Sequence, residues 1–415
     1  MKIAILVWDL NVTGGTQRMA LELALNLEKL GHTVDIYCYL YDKRRCYTEL
    51  CERLNIYAVQ HNPPAASPRT SRMQTLPKWL QPVVKAFFAY RALLRRLLFP
   101  DKRMQALKDL MEKHGPFSSY DIINVHDYEV HNISRIIPHP CIVWTLNDVH
   151  KMPIRSWFWP HQALYNFFSR RLANEEVQNI ARIVVLDTRN KKFAKVVYNR
   201  EAQIVRCGGN TEMFKGQTVP PHDPTKPWTI FASSIFFPYR RFEDIVDAVE
   251  LLVHKGITNL AVRINGVPNR AYAYYEFIRN RVQEKGLGKY ITITTGMSEE
   301  ELKNQYLSTD IFIFPNNNQT WGLAIFEGML AGSATIVSRG SGGHEVLTDK
   351  ENALLVNPCA PQEIADAIEF LTTHPEDMRR IQKNGVEFVK ENLSWEKYAA
   401  RMQEVFEEEL APNHG

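Results

Sequence analysis

The chain has 415 residues, 45% of them hydrophobic and 23% charged, and carries a net charge of +4. At about 100–200 residues per domain this amounts to two or three soluble globular domains with ample chain for sizeable cores. The near balance of charge excludes a protein built on one sign of field and points to no nucleic-acid partner.

Six cysteines (Cys38, Cys46, Cys51, Cys141, Cys207 and Cys359) form no CxxC and no metal-ligand spacing. Free thiols in a reducing cytosol, and no metal, are expected. The opening MKIAILVWDLN has too short an apolar run for a signal peptide and reads as a strand. No run approaches the ~18 apolar residues that span a bilayer.

Lys2 to Trp8 reads as a buried strand. Asn11 to Thr16 is a loop carrying Gly14 and Gly15, Gln17 to Leu30 a helix, and Thr33 to Tyr39 the next strand. This is how a doubly wound sheet begins, here without a G-x-G-x-x-G fingerprint. Glycine at a strand-to-helix turn lets backbone approach a ligand closely, with an ordinary turn as the alternative. Residues 61–118 break the alternation. Past the breakers Pro63 to Pro68, the residues Val83, Phe87, Tyr90, Leu94 and Leu97 recur at spacings of four and three, one face of a helix. From Arg69 to Lys113 eleven Lys/Arg stand against three Asp/Glu, a net charge of +8. A basic amphipathic insertion can lie on an anionic membrane. The alternative is a helical insertion packed on the sheet with its basic face in solvent. The expected location is cytoplasmic, either free or peripheral on the inner face of the membrane.

Tyr120 to Val125 and Cys141 to Thr145 are further strands, ending at His126-Asp127 and at Asn147-Asp148. Trp157 to Pro160 and Phe167 to Arg171 form a second aromatic-basic segment, for which core packing is the plain alternative. A strand at Ile183 to Leu186 and a helix from Thr188 to Val197 follow. Gln217 to Pro227 holds four prolines and marks a domain boundary. The domains are therefore expected at 1–210 and 211–394, with a last helix over 395–415.

The second domain alternates again: strand Trp228–Ala232, helix Phe242–His254, strand Leu260–Ile264, helix Tyr272–Lys285, strand Tyr290–Thr294 and helix Glu299–Tyr306. Then comes the stretch with the densest signal, Asp310 to Glu345. Ile311 to Phe314 is a buried strand stopped by Pro315. After the polar loop Asn316 to Thr320, a helical pattern runs from Leu323 to a stop at Gly332, and Ala334 to Val337 is a strand. The helix of this βαβ unit starts just past the carboxyl end of a parallel strand, where open α/β sheets bind ligands. The free N–H groups of its first turn suit an anion such as phosphate. Glu327, about one and a half turns in, can reach a ligand lying along the helix. Helices near Pro361–Thr372, Glu376–Lys390 and Trp395–Leu410 close the chain.

Gln319-Thr320-Trp321-Gly322-Leu323, followed by Glu327-Gly328-Met329-Leu330-Ala331-Gly332, resembles the paired-glutamate motif of the family 4 glycosyltransferases. The spacing is kept, and Gln319 replaces the first glutamate. Gly342-Gly343-His344-Glu345-Val346 resembles the segment that follows in that family, Gly14-Gly15-Thr16-Gln17-Arg18 its amino-terminal G-G-x-x-R, and Ile204 to Phe214 its exit from the first domain. His126 falls where the family carries a histidine facing the donor sugar. Asn147-Asp148 resembles its His-Asp pair with Asn for His. The resemblance covers nearly all the chain outside 61–118.

It implies a GT-B fold: two doubly wound Rossmann-like α/β domains with a cleft between them and a last helix crossing back. It also implies a retaining transfer from a UDP- or GDP-sugar to a glycan or lipid-linked acceptor. The helix start at Trp321, Gly322 and Leu323, with Gly14 and Gly15 opposite, would hold the donor diphosphate together with Arg240 or Arg241. Arg241 is favoured by its alignment with Phe242-Glu243-Asp244. No basic residue fills the family's arginine position, near Ser234. Glu327 would hold the ribose. His126, Gln319 and Arg241 would serve the transfer itself, and Arg18, Asn147 and Asp148 the acceptor side. In the front-face mechanism described for such enzymes the leaving phosphate takes the acceptor proton, so neither a cofactor nor a protein nucleophile is needed. Glutamine can bond sugar hydroxyls but carries no charge to stabilise an oxocarbenium-like centre. A non-catalytic GT-B protein that binds a partner or membrane, its site decayed at Gln319 and Ser234, is the alternative. A GT-B epimerase or phosphorylase is a further one.

Overall fold

The computed structural model describes residues 1–62, 77, 80–99, 101–148, 159–216, 222–268, 271–318 and 321–411. They form two compact units, Met1–Val205 with Tyr398–Gly415, and Arg206–Lys397. In the first unit the order is β1 (Lys2–Leu10), α1 (Gly15–Lys29), β2 (Thr33–Tyr41), a single turn α2 (Thr48–Cys51) and β3 (Asn55–His61). Two helices follow, α3 (Gln81–Leu98) and α4 (Lys102–His114). Then come β4 (Ile122–His126), β5 (Ile142–Leu146), α5 (Trp159–Val177), β6 (Arg182–Val185), α6 (Thr188–Tyr198) and β7 (Ala202–Ile204).

The seven strands lie in the order β3-β2-β1-β4-β5-β6-β7, all parallel. A parallel sheet is covered on both faces, and the sequences IINVH and IVWTL of β4 and β5 are buried at every position. The edge strand β3 is half-exposed, with only Ala58 fully buried, and so lacks the apolar run that marks its neighbours.

The basic stretch divides into two parts of different kind. Helix α4 buries Met104, Leu107 and Met111 against β2 and β3 and is the ordinary crossover into β4. The insertion proper is α3 and the chain before it, and residues 63–76 and 78–79 lie outside the described part. The face the periodicity marks is packed only in part. Tyr90 packs edge-on against Tyr165 of α5 and Leu97 is half-buried, but Val83, Phe87 and Leu94 are exposed and Leu93, beside that face, is buried. Arg96 in the same turn reaches the buried carboxylate of Glu176 at 2.6 Å.

The second unit runs β8 (Trp228–Ser233), α7 (Phe242–His254), β9 (Leu260–Asn265), α8 (Tyr272–Glu284), β10 (Ile291–Thr294), α9 (Glu299–Leu307) and β11 (Ile311–Phe314). It continues with α10 (Leu323–Leu330), β12 (Ala334–Ser338), β13 (Leu354–Val356), α11 (Pro361–Thr373), α12 (Pro375–Asn392) and the start of α13 (Trp395–Leu410). Its parallel sheet has the order β10-β9-β8-β11-β12-β13. Ile245, Val249 and Leu252 of α7 and Ile364, Ile368 and Leu371 of α11 recur at helical spacing and close one core over Ile230, Ile264, Ile311 and Ile336. From Tyr398 onward α13 belongs to the first unit, where Gln403 meets His32 at 3.1 Å and Glu409 pairs with Arg182 at 2.5 Å.

Each sheet reverses its winding once, between β1 and β4 in the first unit and between β8 and β11 in the second. At such a reversal the loops after the two central strands part and leave a crevice at the carboxyl edge. Gly14, Asn147, Arg240 and Gly322 lie on loops at these two edges.

Candidate functional site

In the first unit the loop after β1 delivers Gly14 and Gly15 to the start of α1. A Cβ on Gly14 would meet only the flexible end of the Gln17 side chain, 2.6 Å from its Oε1. Tyr47 donates its hydroxyl to the Gly14 carbonyl at 3.3 Å, and the Arg18 guanidinium lies 5.0 Å from the centre of the Tyr47 ring. Thr16 is the hub. Its hydroxyl accepts from Asn147 Nδ2 at 2.5 Å and donates to Asp127 Oδ2 at 3.4 Å. Asp148 faces Arg189 at 3.7 Å. Thr16, a variable position of the Gly14-to-Arg18 motif, thus ties the glycine turn to Asn147 and Asp127.

His126 lies deeper. It ends β4, is wholly buried, and its Nε2 sits 2.7 Å from Asn124 Oδ1. Asn124 spends its own amide hydrogens on the Val143 carbonyl and on Thr145 Oγ1, both at 3.0 Å. Its oxygen must therefore accept, which fixes the proton on His126 Nε2 and leaves Nδ1 as an acceptor. Burial pushes the His126 pKa down to about 3, so the ring is neutral near pH 7. Asn124 was legible in principle, two residues before His126 and so on the same face of the strand.

In the second unit Gly322 caps α10 with φ at +83°, and a Cβ there would meet the Phe314 ring at 2.7 Å. Glycine suits this position, and while Ile325 N–H donates to the Gly322 carbonyl at 3.1 Å, the N–H groups of Leu323 and Ala324 are left without helical partners. The Trp321 ring is buried against Phe326 at 4.7 Å, so Trp321 offers this turn its backbone and its indole holds the core. Glu327 is half-buried and accepts from the hydroxyl of Tyr306 at 3.2 Å. Tyr306 is wholly buried, and burial followed by the nearby Glu327 charge holds its phenol well above the usual range. Tyr306 therefore always donates, and it fixes the carboxylate from behind. Gln319 lies outside the described residues.

The two arginines after β8 differ in what they face. Arg241 has a left-handed backbone, φ 56°, and its guanidinium grips Asp244 at 2.6 and 3.0 Å and Glu243 at 2.7 Å. Asp244 and burial act in opposite senses on it, and the net effect of the carboxylates raises its pKa further. Arg240 is buried over the Tyr239 ring, 4.8 Å from its centre. The amide of Asn316 accepts from Arg240 Nη1 at 2.7 Å and donates to its carbonyl at 3.1 Å. Asn317 N–H donates to the Tyr239 carbonyl at 2.8 Å. The loop after β8 is so tied to the loop that leads from β11 to α10, with Arg240 at the tie. Beyond it, Arg206 reaches Glu345 at 3.0 Å.

Residues 13–192 match the family described as Glycosyltransferase Family 4, and residues 217–388 that described as Glycosyl transferases group 1. A D-inositol 3-phosphate glycosyltransferase of Corynebacterium efficiens is 30% identical over 172 residues, 41% of this chain and 40% of that protein. The chain therefore aligns with less than half the length of this relative. In structure the chain is similar to a Rickettsia africae glycosyltransferase, with a TM-score of 0.70 and 16% identity over 99% of each chain. It is also similar to an Anabaena protein crystallised with UDP, with a TM-score of 0.68 and 13% identity over 98% of this chain and 100% of that one. At such identities these likenesses establish the GT-B fold.

Proposed function

The chain belongs to the glycosyl transferases group 1, of family 4 type, and from this we propose a retaining transferase that moves a sugar from a UDP- or GDP-sugar to a glycan or lipid-linked acceptor. The observation that carries the proposal is the β11–α10 turn at the winding reversal, with Gly322 held left-handed and Glu327 braced by Tyr306. Breaking the bond between the sugar and the leaving phosphate builds negative charge on the diphosphate. The N-terminus of α10 and a fixed arginine supply donors aimed at that charge without reorganisation. Arg240 or Arg241 holds the diphosphate, and Glu327 binds the ribose hydroxyls. Gln319, Trp321 and Leu323 are assigned to the sugar and diphosphate.

The acceptor hydroxyl attacks on the face the phosphate leaves, and the phosphate oxygen takes its proton. No residue need form a covalent intermediate, and no cofactor or metal is called for. Gly14 and Gly15 serve the donor. Arg18, Asn147 and Asp148 are assigned to the acceptor, with His126 as a neutral acceptor of hydrogen bonds. The exposed apolar and basic face of α3 suits peripheral attachment to an anionic membrane, where a lipid-linked acceptor would be met.

Thermal unfolding with UDP, GDP and their sugars tests this. A nucleotide at a hundred times its Kd adds about 2.7 kcal/mol to the unit that binds it. That raises Tm by roughly 5–10 °C for a unit of this size. A decayed, non-catalytic site predicts no shift with any nucleotide.

A further inference from the structure

We infer that the arginine-lined cavity where α3 meets α4 binds the phosphate of an anionic membrane phospholipid, with the exposed end of α3 seated in the bilayer interface. This rests on, and sharpens, the membrane-side reading above. The cavity encloses about 750 Å³, and the guanidinium groups of Arg91, Arg95, Arg96, Arg103 and Arg135 line it.

Their partners separate them into two sets. Arg96 is held by Glu176 at 2.6 Å, Arg103 by Asp101 at 2.6 Å and by stacking 4.6 Å over Trp8, and Arg135 by Glu175 at 3.1 Å and by the Arg96 carbonyl at 2.7 Å. These three form a braced wall. Arg91 and Arg95 are exposed, and no side-chain ion pair holds either among the described residues, although Arg95 feels the charge of Asp101 in the cavity wall. Five arginines against the single carboxylate of Asp101 in the lining leave the cavity short of anion. Phosphate oxygens match guanidinium geometry bidentately.

The rim decides which phosphate. Of the seventeen large hydrophobic side chains exposed on the described surface, Val83, Phe87, Phe88, Leu94, Leu98 and Phe99 fall within one stretch of seventeen residues. Phe88, Leu98 and Phe99, each more than half exposed, border the cavity itself. A soluble phosphate leaves these side chains in water. A phospholipid covers them with acyl chain while its head group enters among the arginines. The cavity also sits at the carboxyl edge of the first sheet, because Asn132 and Arg135 in its wall follow directly on His126 and Asp127. Seating it on a bilayer would hold that edge, and the acceptor residues on it, near the membrane.

The test is co-sedimentation of the full chain with phosphatidylcholine vesicles, with and without phosphatidylglycerol. Wild type should bind the anionic vesicles and release them as salt is raised. Arg91→Ala/Arg95→Ala should weaken that binding roughly thirtyfold, at the usual contribution of basic residues near a charged surface. Phe88→Ser/Leu98→Ser should weaken it as well, while the thermal response to nucleotides is unchanged in both variants. Inorganic phosphate should compete no better than chloride at equal ionic strength. Three outcomes would each overturn the assignment: equal binding to both vesicle types, an undiminished double-arginine variant, or specific displacement by phosphate. A chain that responds to nucleotides but ignores anionic vesicles refutes the cavity alone. A chain that binds vesicles but no nucleotide refutes the transferase reading alone.

Discussion

Glu327→Ala should lose tenfold or more in nucleotide affinity for each ribose hydrogen bond removed. A hydrogen bond to a charged group contributes on the order of 1.5–3 kcal/mol, and about 1.4 kcal/mol is a factor of ten. The same substitution should also loosen the fold, because the carboxylate is the acceptor for the wholly buried Tyr306 hydroxyl at 3.2 Å. A buried donor left unsatisfied costs about 1–3 kcal/mol. The two losses can be separated. Adding Tyr306→Phe removes the orphaned hydroxyl and should restore most of the stability, whereas affinity should stay low. Calorimetry and urea denaturation on the single and double variants read the two quantities. If the double variant regains affinity, Glu327 acts only by propping the helix and does not touch the nucleotide.

Gly322→Ala should be strongly damaging at the site. Left-handed backbone costs a residue with a Cβ about 1–2 kcal/mol. The new methyl would also stand 2.7 Å from the ring of Phe314, which is buried on β11 and cannot swing away. Overpacking of this kind costs about 1–3 kcal/mol more. Gly286 provides the control, since its φ is +65° and a Cβ there meets nothing within 4 Å. Gly286→Ala should show the backbone cost alone, and Gly322→Ala clearly more, with loss of the nucleotide response as the α10 turn shifts. Equal destabilisation of the two would mean that Phe314 does not hold the turn.

Where the sequence carries a periodic pattern ended by a breaker, it locates elements closely. Helix α7 spans Phe242–His254 and helix α13 spans Trp395–Leu410, both as the apolar spacing places them. The buried strand Ile311–Phe314 and the glycine turn before α10 are legible for the same reason. What escapes is set by contacts far apart in the chain. Tyr306 and Glu327 meet across 21 residues with no local signature. The strands β3 and β13 lack long apolar runs because they lie at sheet edges.

Two local readings meet contacts that no spacing rule records. The apolar residues of α3 satisfy two overlapping helical faces, and the structure buries Leu93 and pairs Arg96 with Glu176, both beside the face the spacing marks. Alignment favours Arg241 for the phosphate, yet its left-handed backbone turns the guanidinium onto Asp244, while Arg240 faces Asn316 in the loop before α10. Which of the two meets the diphosphate depends on that backbone angle, and no spacing rule records it.

The central claim is that a nucleotide diphosphate rests on the first turn of α10. Amide hydrogen exchange of the full chain, with and without saturating UDP or GDP, addresses it directly. The N–H groups of Leu323 and Ala324 lack helical acceptors. They should exchange fast in the free protein and become protected when phosphate oxygens accept from them, together with the turn at Tyr239 and Arg240. Tight nucleotide binding that leaves these amides unprotected and slows exchange elsewhere would contradict the account.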